Sequence, residues 1–86
     1  MGTCKYRMYL INQRMNKKLS ARKVSIAAGL SHQHYAMVEY GKAADRVAFK
    51  TMVRIAKAID MPLEEFCEKE MEYLNSLEME HELETY

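Results

Sequence analysis

The sequence is poor in the residues that interrupt helices and in those that cross-link small proteins. Among its 86 residues there are one proline, three glycines and no tryptophan. Because proline and glycine disfavour helix interiors most strongly, their scarcity predicts helix through nearly the whole chain. The two cysteines, Cys4 and Cys67, are too few for a disulfide scaffold and fit a reducing compartment.

Long apolar runs are missing as well. No run approaches the roughly 18 residues that a membrane span requires, and the first residues lack the apolar segment of a secretion signal. Apolar residues still make up 49% of the chain, which is enough to bury one small core. We therefore expect a single cytoplasmic domain without membrane contact.

Patterns that would indicate catalysis or a metal site are also absent from the sequence. There is no glycine-rich phosphate loop and no CxxC spacing. His32 and His34 are two positions apart, so on a helix they point in different directions and would not share a metal ion. We therefore expect no enzyme activity, no cofactor and no bound metal.

The net charge of +1 conceals an uneven distribution. Residues 1–61 contain twelve Lys and Arg against three acidic residues, a charge of +9, whereas residues 62–86 contain one Lys against nine Glu, a charge of −8. A basic body fits a phosphate surface, and such a surface would repel the acidic segment. We expect the acidic segment to face away from any nucleic acid or to act against its binding.

Residues 20–41 carry the most specific local pattern, SARKVSIAAGLSHQHYAMVEYG. Ser20 and Ser31 are suited to cap the starts of two helices, and Gly29 and Gly41 are suited to end them. Both predicted helices have apolar residues at helical spacing. These are Val24, Ala27, Ala28, Tyr35 and Val38. Two short helices joined by a tight glycine turn form a helix-turn-helix.

This segment resembles the helix-turn-helix of the lambdoid-phage repressor and Cro family, also called the XRE family. The matching residues are Leu19, Ser20, Val24, Ser25, Gly29, Leu30, Ser31, Tyr35, Val38, Glu39, Tyr40 and Gly41, with a second block at Met52, Ile55, Ala56, Ala58, Ile59, Met61 and Phe66. Within them Ser25 and Tyr35 replace the usual Ala and Ile, and Ala21 replaces a usual Gln. The resemblance covers residues 5–67. It implies an all-α, compact five-helix lambda-repressor-like DNA-binding domain over residues 1–67 and an acidic C-terminal extension over residues 68–86.

In that family the start of the second motif helix enters the major groove, so the resemblance implies base contacts by His32, Gln33 and Met37. Gln33 suits the N6/N7 edge of adenine, His32 can donate to guanine N7, and Met37 offers apolar surface to a thymine methyl. Phosphate contacts position a protein without reading sequence. They are expected from Ser20, Arg22, Lys23, His34, Tyr40, Lys42, Arg46 and Lys50. The alternative for each of these residues is an ordinary solvated surface.

The resemblance also implies a structural ion pair between Arg14 and Glu39. Bidentate geometry suits Arg, and Lys would not replace it well. The pair would hold the second motif helix against the first helix of the domain and so aim the groove-facing residues.

Helical periodicity predicts three further helices, over about residues 5–17, over 49–59, and from Pro62 onward. Pro62 fits the first position of the last helix. The residues expected on the apolar faces are Tyr6, Leu10, Ile11, Met15, Phe49, Met52, Ile55, Ala56, Ile59, Leu63, Phe66, Cys67, Met71 and Leu74. Cys67 is interpreted as a small core residue.

The final residues allow more than one interpretation. Leu77, Met79, His81 and Leu83 alternate with glutamates, which is the period of a strand, whereas glutamate itself favours helix. A frayed helical end or loose tail, a strand that forms a dimer, and a strand taken up by another protein are all open.

The sequence therefore favours a sequence-specific DNA-binding transcriptional regulator, a repressor or Cro-like protein of bacterial, phage or mobile-element origin. It would bind a two-fold operator on double-stranded DNA as a homodimer, since one domain of this size reads few base pairs. The alternative is a protein-interaction module, such as an antitoxin, antirepressor or adaptor, whose acidic tail engages a protein partner. The tail could also fold onto the basic face of its own chain and inhibit DNA binding.

Overall fold

The structure, a computed structural model, describes residues 5–42 and 47–85, with side chains up to residue 78. Within those ranges the chain forms only helices, in the order α1 (Met8–Asn16), α2 (Ala21–Ala27), α3 (His32–Tyr40), α4 (Phe49–Ala58) and α5 (Leu63–Thr85). The prediction of a compact all-α chain with five helices is confirmed for this part of the molecule. None of the described helices is both long and apolar enough to cross a membrane.

The residues that begin and end α2 and α3 have the predicted capping geometry. The Ser20 hydroxyl accepts from the Lys23 backbone N–H at 3.1 Å and the Ser31 hydroxyl from the His34 N–H at 3.0 Å. Gly29 follows α2 with φ of 71° and Gly41 follows α3 with φ of 74°, both in the left-handed region. These local signals therefore determine where α2 and α3 begin and end, because each satisfies or terminates the helix at its own end.

The core lies where α2 packs against α3 and α4, and α5 closes it against α4. Its apolar members include Leu10, Val24, Ala28, Tyr35, Val38, Met52, Ile55, Ala56, Ile59, Met61 and Phe66. The inward positions predicted at Met52, Ile55, Ala56 and Ile59 are confirmed. Ala27, predicted on the apolar stripe of α2, is exposed, because it lies at the edge of the buried face that Val24 and Ala28 form.

Several residues predicted on apolar faces are exposed instead. Phe49 is 68% exposed because it is the first residue of α4 and lies beyond the end of the core. On α5 the buried positions are Phe66 and Tyr73. A neighbouring stripe of that helix is exposed. Its members, four residues apart, are Leu63, Cys67 and Met71. The interpretation of Cys67 as a core residue is therefore wrong.

The predicted helix boundaries differ at two places. α1 begins at Met8 rather than near residue 5, because residues 5–7 bond instead to α3 and α5. Tyr6 therefore precedes the helix and is half exposed, while Met15 is exposed within it. Pro62 lies just before α5, and its carbonyl accepts from the Phe66 N–H at 2.9 Å.

α5 continues as helix to Thr85, so both strand interpretations of the tail are wrong. The glutamates that alternate with the apolar residues have a much higher propensity for helix than for strand. The 23 residues of α5 make a rod of about 34 Å at the usual rise of a helix.

Candidate nucleic-acid interface

The residues predicted to contact bases lie on α3, two in its first turn and Met37 beyond its middle. His32 and Gln33 are exposed, and Met37 is 38% exposed. Gln33 and Met37 are four residues apart, so they share one face of the helix. The opposite face is anchored, because Tyr35 and Val38 are fully or almost fully buried. The helix therefore presents these three side chains to solvent from a fixed base.

The predicted phosphate contacts have differing surroundings. Arg22, Lys23, His34, Lys42 and Lys50 are exposed. The Ser20 hydroxyl is engaged as the cap of α2, and the Tyr40 ring packs 5.1 Å from the ring of Tyr6. Arg46 lies outside the described residues. The exposed Arg and Lys residues come from α2, α4 and the turn after α3, and the exposed His34 comes from α3, so the predicted phosphate contacts are spread over several elements.

Arg14 and Glu39 form an ion pair with two hydrogen bonds. The Arg14 Nε donates to Glu39 Oε2 at 2.8 Å and Nη2 donates to Oε1 at 3.1 Å. The Glu39 side chain is only 4% exposed and that of Arg14 is 16% exposed. Hydrogen bonding to Glu39 raises the pKa of Arg14 above its ordinary value, so the pair stays charged on the Arg side. Arg14 Nη1 also donates to the Leu19 carbonyl at 3.2 Å, which ties α1 to the turn before α2.

A second buried arginine, Arg7, was missed by sequence reasoning. Its Nε and Nη2 donate to the two carboxylate oxygens of Glu70 at 3.0 and 2.9 Å, and its Nη1 donates to the Val38 carbonyl at 2.8 Å. The guanidinium carbon lies 4.4 Å from the centre of the Tyr73 ring. The Tyr9 hydroxyl also donates to Glu70. No part of Arg7 is exposed to solvent.

Burial by itself lowers the pKa of Arg7, whereas its hydrogen bond and attraction to Glu70 raise it, and the net direction is upward. Burial raises the pKa of Tyr9, and the hydrogen bond to Glu70 raises it further. At neutral pH the cluster therefore contains a charged Arg7 guanidinium and a neutral Tyr9 phenol, both hydrogen-bonded to Glu70. One signal in the sequence could have revealed it. Glu70 falls between Phe66 and Tyr73 at helical spacing, and an acid on a buried stripe requires a partner.

The segment before α1 lies between the end of α3 and α5. The Arg7 N–H donates to the Glu39 carbonyl at 2.8 Å, and the Tyr73 hydroxyl donates to the Lys5 carbonyl at 2.8 Å. A Cβ on Gly41 would overlap that Lys5 carbonyl and lie 2.6 Å from the Tyr73 oxygen. Gly41 is thus required by close approach as well as by its backbone angle.

These contacts cross the predicted boundary between residues 67 and 68. Lys5 Nζ donates to Ser76 Oγ at 2.9 Å, so the side-chain contacts reach as far along α5 as that residue. The first half of the acidic extension therefore packs on the same body that carries α3.

A mainly apolar groove lies between α4 and α5 and borders the Arg7 cluster, because Glu70 is part of both. The groove is lined by Phe49 and Met52 of α4 and by Leu63, Phe66, Cys67, Glu70 and Met71 of α5. Within the described part of the chain, no group of His, Cys, Asp and Glu is placed to hold a metal ion.

Comparison with known proteins adds no assignment to this geometry. No protein-family model matches the chain, and a search of curated proteins finds no match.

Proposed function

We propose that the protein is a sequence-specific DNA-binding transcriptional regulator with a lambda-repressor-like domain, and that it acts as a homodimer on a two-fold operator. The observation that carries the proposal is the geometry of α3. His32 and Gln33 in its first turn and Met37 beyond its middle are exposed, while Val38 and Glu39 near its end are buried and accept hydrogen bonds from arginines. A short helix that is rigid at one end and polar at the other suits insertion into a major groove.

The charge distribution supports the same proposal. The exposed cations Arg22, Lys23, Lys42 and Lys50 lie on the motif and on the helix that follows it. Cations around a groove-facing helix would contact the backbone phosphates on either side. The acidic residues are concentrated on α5 instead.

The experiment selects bound sequences from random DNA and then titrates the selected and mixed-sequence duplexes by fluorescence anisotropy at several salt concentrations. We expect Gln33→Ala to weaken binding to the selected site by roughly 5- to 150-fold, the worth of one good base contact, with little effect on mixed DNA. Lys42→Ala should weaken both and lower the slope of log affinity against log salt by about 1.

Asn75→Ala is the matched control, because Asn75 is an exposed amide on α5 away from the motif. It should bind as the wild type does. Absence of DNA binding even at low salt would contradict the proposal.

Such a result would favour the second candidate, a protein-interaction module of the antitoxin, antirepressor or adaptor type. The exposed glutamates of α5, including Glu64, Glu65, Glu68, Glu72 and Glu78, are the surface that a basic protein partner would contact.

A further inference from the structure

We propose that Arg7 and Glu70 position α3. The acidic helix α5 is then a working part of the DNA-reading unit and not a separate extension of it. This inference rests on the proposed function. Two donors of Arg7 end on the last turn of α3, the side-chain Nη1 on the Val38 carbonyl and the backbone N–H on the Glu39 carbonyl, both at 2.8 Å. Carbonyls of a last helical turn have no partner within the helix, and a cation there is favourable. The Val38 carbonyl also accepts from the Gly41 N–H at 3.2 Å, so Arg7 supplies its second hydrogen bond.

Arg7 is itself held by α5. Glu70 binds two of its nitrogens, and Tyr73 covers the guanidinium plane while its hydroxyl binds the Lys5 carbonyl. Arg7 thus connects α5 to the end of α3 through one fully buried side chain. Arg14, on α1, makes the other charged attachment by binding the Glu39 carboxylate.

A small tilt of α3 at this attachment produces a larger displacement of the residues at the start of the helix. Gln33 and Val38 are about 7.5 Å apart along the helix axis, so a tilt of about 8° at Val38 moves Gln33 by about 1 Å. A displacement of that size is enough to weaken oriented hydrogen bonds to a base edge.

The decisive variant is the double substitution Arg7→Met with Glu70→Leu. Replacing a buried ion pair by apolar residues of similar size often preserves stability, but Met cannot donate to the Val38 carbonyl. Three quantities are measured: the melting temperature, the ratio of affinities for the selected site and mixed DNA, and amide hydrogen exchange along α3.

We expect the double variant to melt cooperatively, to lose about tenfold or more in its affinity ratio, and to exchange the amides of α3 faster. Glu70→Gln keeps the shape of the pair, so its affinity ratio should fall less than that of the double variant. It replaces the double variant in the test if the double variant does not fold. Asp60→Asn is the control, since it removes the exposed Lys17–Asp60 pair, and Asn tolerates the left-handed angle at that position.

A folded double variant with the wild-type affinity ratio and wild-type exchange would overturn the proposal. If the wild type binds no DNA, the proposed function fails, but hydrogen exchange still decides whether Arg7 couples α5 to α3. Slow exchange that persists in both variants rejects the coupling, and faster exchange confined to them supports it.

A different observation, the apolar groove between α4 and α5, carries a second inference. Phe49 is 68%, Met71 55% and Leu63 41% exposed, and Cys67 lies between the last two on the same stripe. A contiguous exposed apolar surface on a small protein marks an interaction site more often than isolated apolar residues do.

The two helices that border this groove carry opposite charge. The exposed charged residues of α4 are Lys50, Arg54 and Lys57. Those in the first two turns of α5 are three acids, Glu64, Glu65 and Glu68, and one base, Lys69, so the net charge there is negative. A partner of one sign would be repelled by one of the two helices, whereas a second copy related by a two-fold axis can place its α4 against α5 of the first.

We infer that the occupant of the groove is a second copy of this chain, with Phe49 of each copy in the groove of the other. This gives an isologous interface and identifies the contact surface of the homodimer proposed above. The test is the mass in solution by sedimentation equilibrium, which does not depend on DNA binding.

We expect the wild type to dimerise, and Phe49→Ser and Met71→Ser each to raise the dimer dissociation constant about tenfold or more, since apolar anchors in a groove dominate such interfaces. Ile26→Ser, which changes an apolar residue 71% exposed on α2, is the control and should leave the constant unchanged. Lys57→Glu and Glu68→Lys should weaken the dimer singly and restore it together.

A wild type that remains monomeric at millimolar concentration would reject the inference. So would a dimer that Ile26→Ser disrupts as strongly as Phe49→Ser does.

Discussion

Arg14 binds the Glu39 carboxylate through two hydrogen bonds of 2.8 and 3.1 Å, while the backbone carbonyl of the same Glu39 accepts from Arg7 at 2.8 Å. One residue at the end of α3 is therefore held through both its side chain and its main chain. Of the proposed base-reading residues, His32 and Gln33 lie at the other end of that helix and Met37 lies beside the attached end. In the proposal above, their orientation depends on these attachments.

Glu39→Ala is expected to lower stability more than it changes which DNA sequence is preferred. It leaves Arg14 with a partly buried and unpaired charge, a loss for which about 3–5 kcal/mol is the upper range. Urea unfolding gives the free energy, and Glu72→Ala, an exposed acid on α5, is the control. A variant that unfolds at the wild-type urea concentration would contradict this role for the pair.

Gly41→Ala should destabilise the protein more than Gly29→Ala does. Both positions have left-handed backbone angles, which cost a residue with a Cβ about 1–2 kcal/mol. The methyl group at position 41 would also overlap the Lys5 carbonyl, whereas nothing lies within 4 Å of the same group at position 29. Equal melting temperatures for the two variants would show that the close approach is unimportant.

Tyr35→Phe and Tyr9→Phe should have opposite effects at neutral pH. The Tyr35 hydroxyl is buried without a hydrogen-bond partner among the described residues. Removing it should therefore leave stability unchanged or raise it by about 1 kcal/mol. The Tyr9 hydroxyl donates to the Glu70 carboxylate, and its loss should cost about 1.5–3 kcal/mol. The free energy of unfolding in urea decides, and the prediction fails if Tyr35→Phe is the more damaging change.

Stability should fall in alkaline solution because of the same two residues. Burial raises the pKa of both Tyr9 and Tyr35 in the folded state, and the negative charge of the neighbouring glutamate, Glu70 for Tyr9 and Glu39 for Tyr35, raises it further. A raised pKa means that the unfolded chain releases its protons first, at about pH 10. The two protonated tyrosines make their full contribution to the free energy of unfolding below that pH. This contribution is lost as the pH rises toward their pKa values in the folded state.

The free energy of unfolding should fall by at most about 1.4 kcal/mol per pH unit for each tyrosine. Urea unfolding at a series of pH values around 10 measures it. The Tyr9→Phe and Tyr35→Phe variants should each show a shallower alkaline slope than the wild type, and unchanged slopes in both would refute the assignment.

Sequence reasoning succeeded where the signals act within a few residues. The caps at Ser20 and Ser31 and the glycines after α2 and α3 satisfy or terminate the backbone locally, so the motif could be predicted without tertiary structure. The buried positions of α4 also followed from periodicity. Phe49 and Cys67 show the limit of that method, because periodicity identifies an apolar stripe but not whether another element covers it.

The sequence by itself therefore determined the helical class, the motif of α2 and α3, the side chains that α3 exposes and the separation of basic and acidic charge. Only the tertiary structure decided that Arg7 is a core residue, that Glu70 is its partner 63 positions away, and that the start of the acidic extension packs against the body. The physical reason is the distance along the chain over which each interaction acts. Capping and helical spacing act over a few residues, whereas the pairing of a buried charge depends on which distant segments the fold brings together.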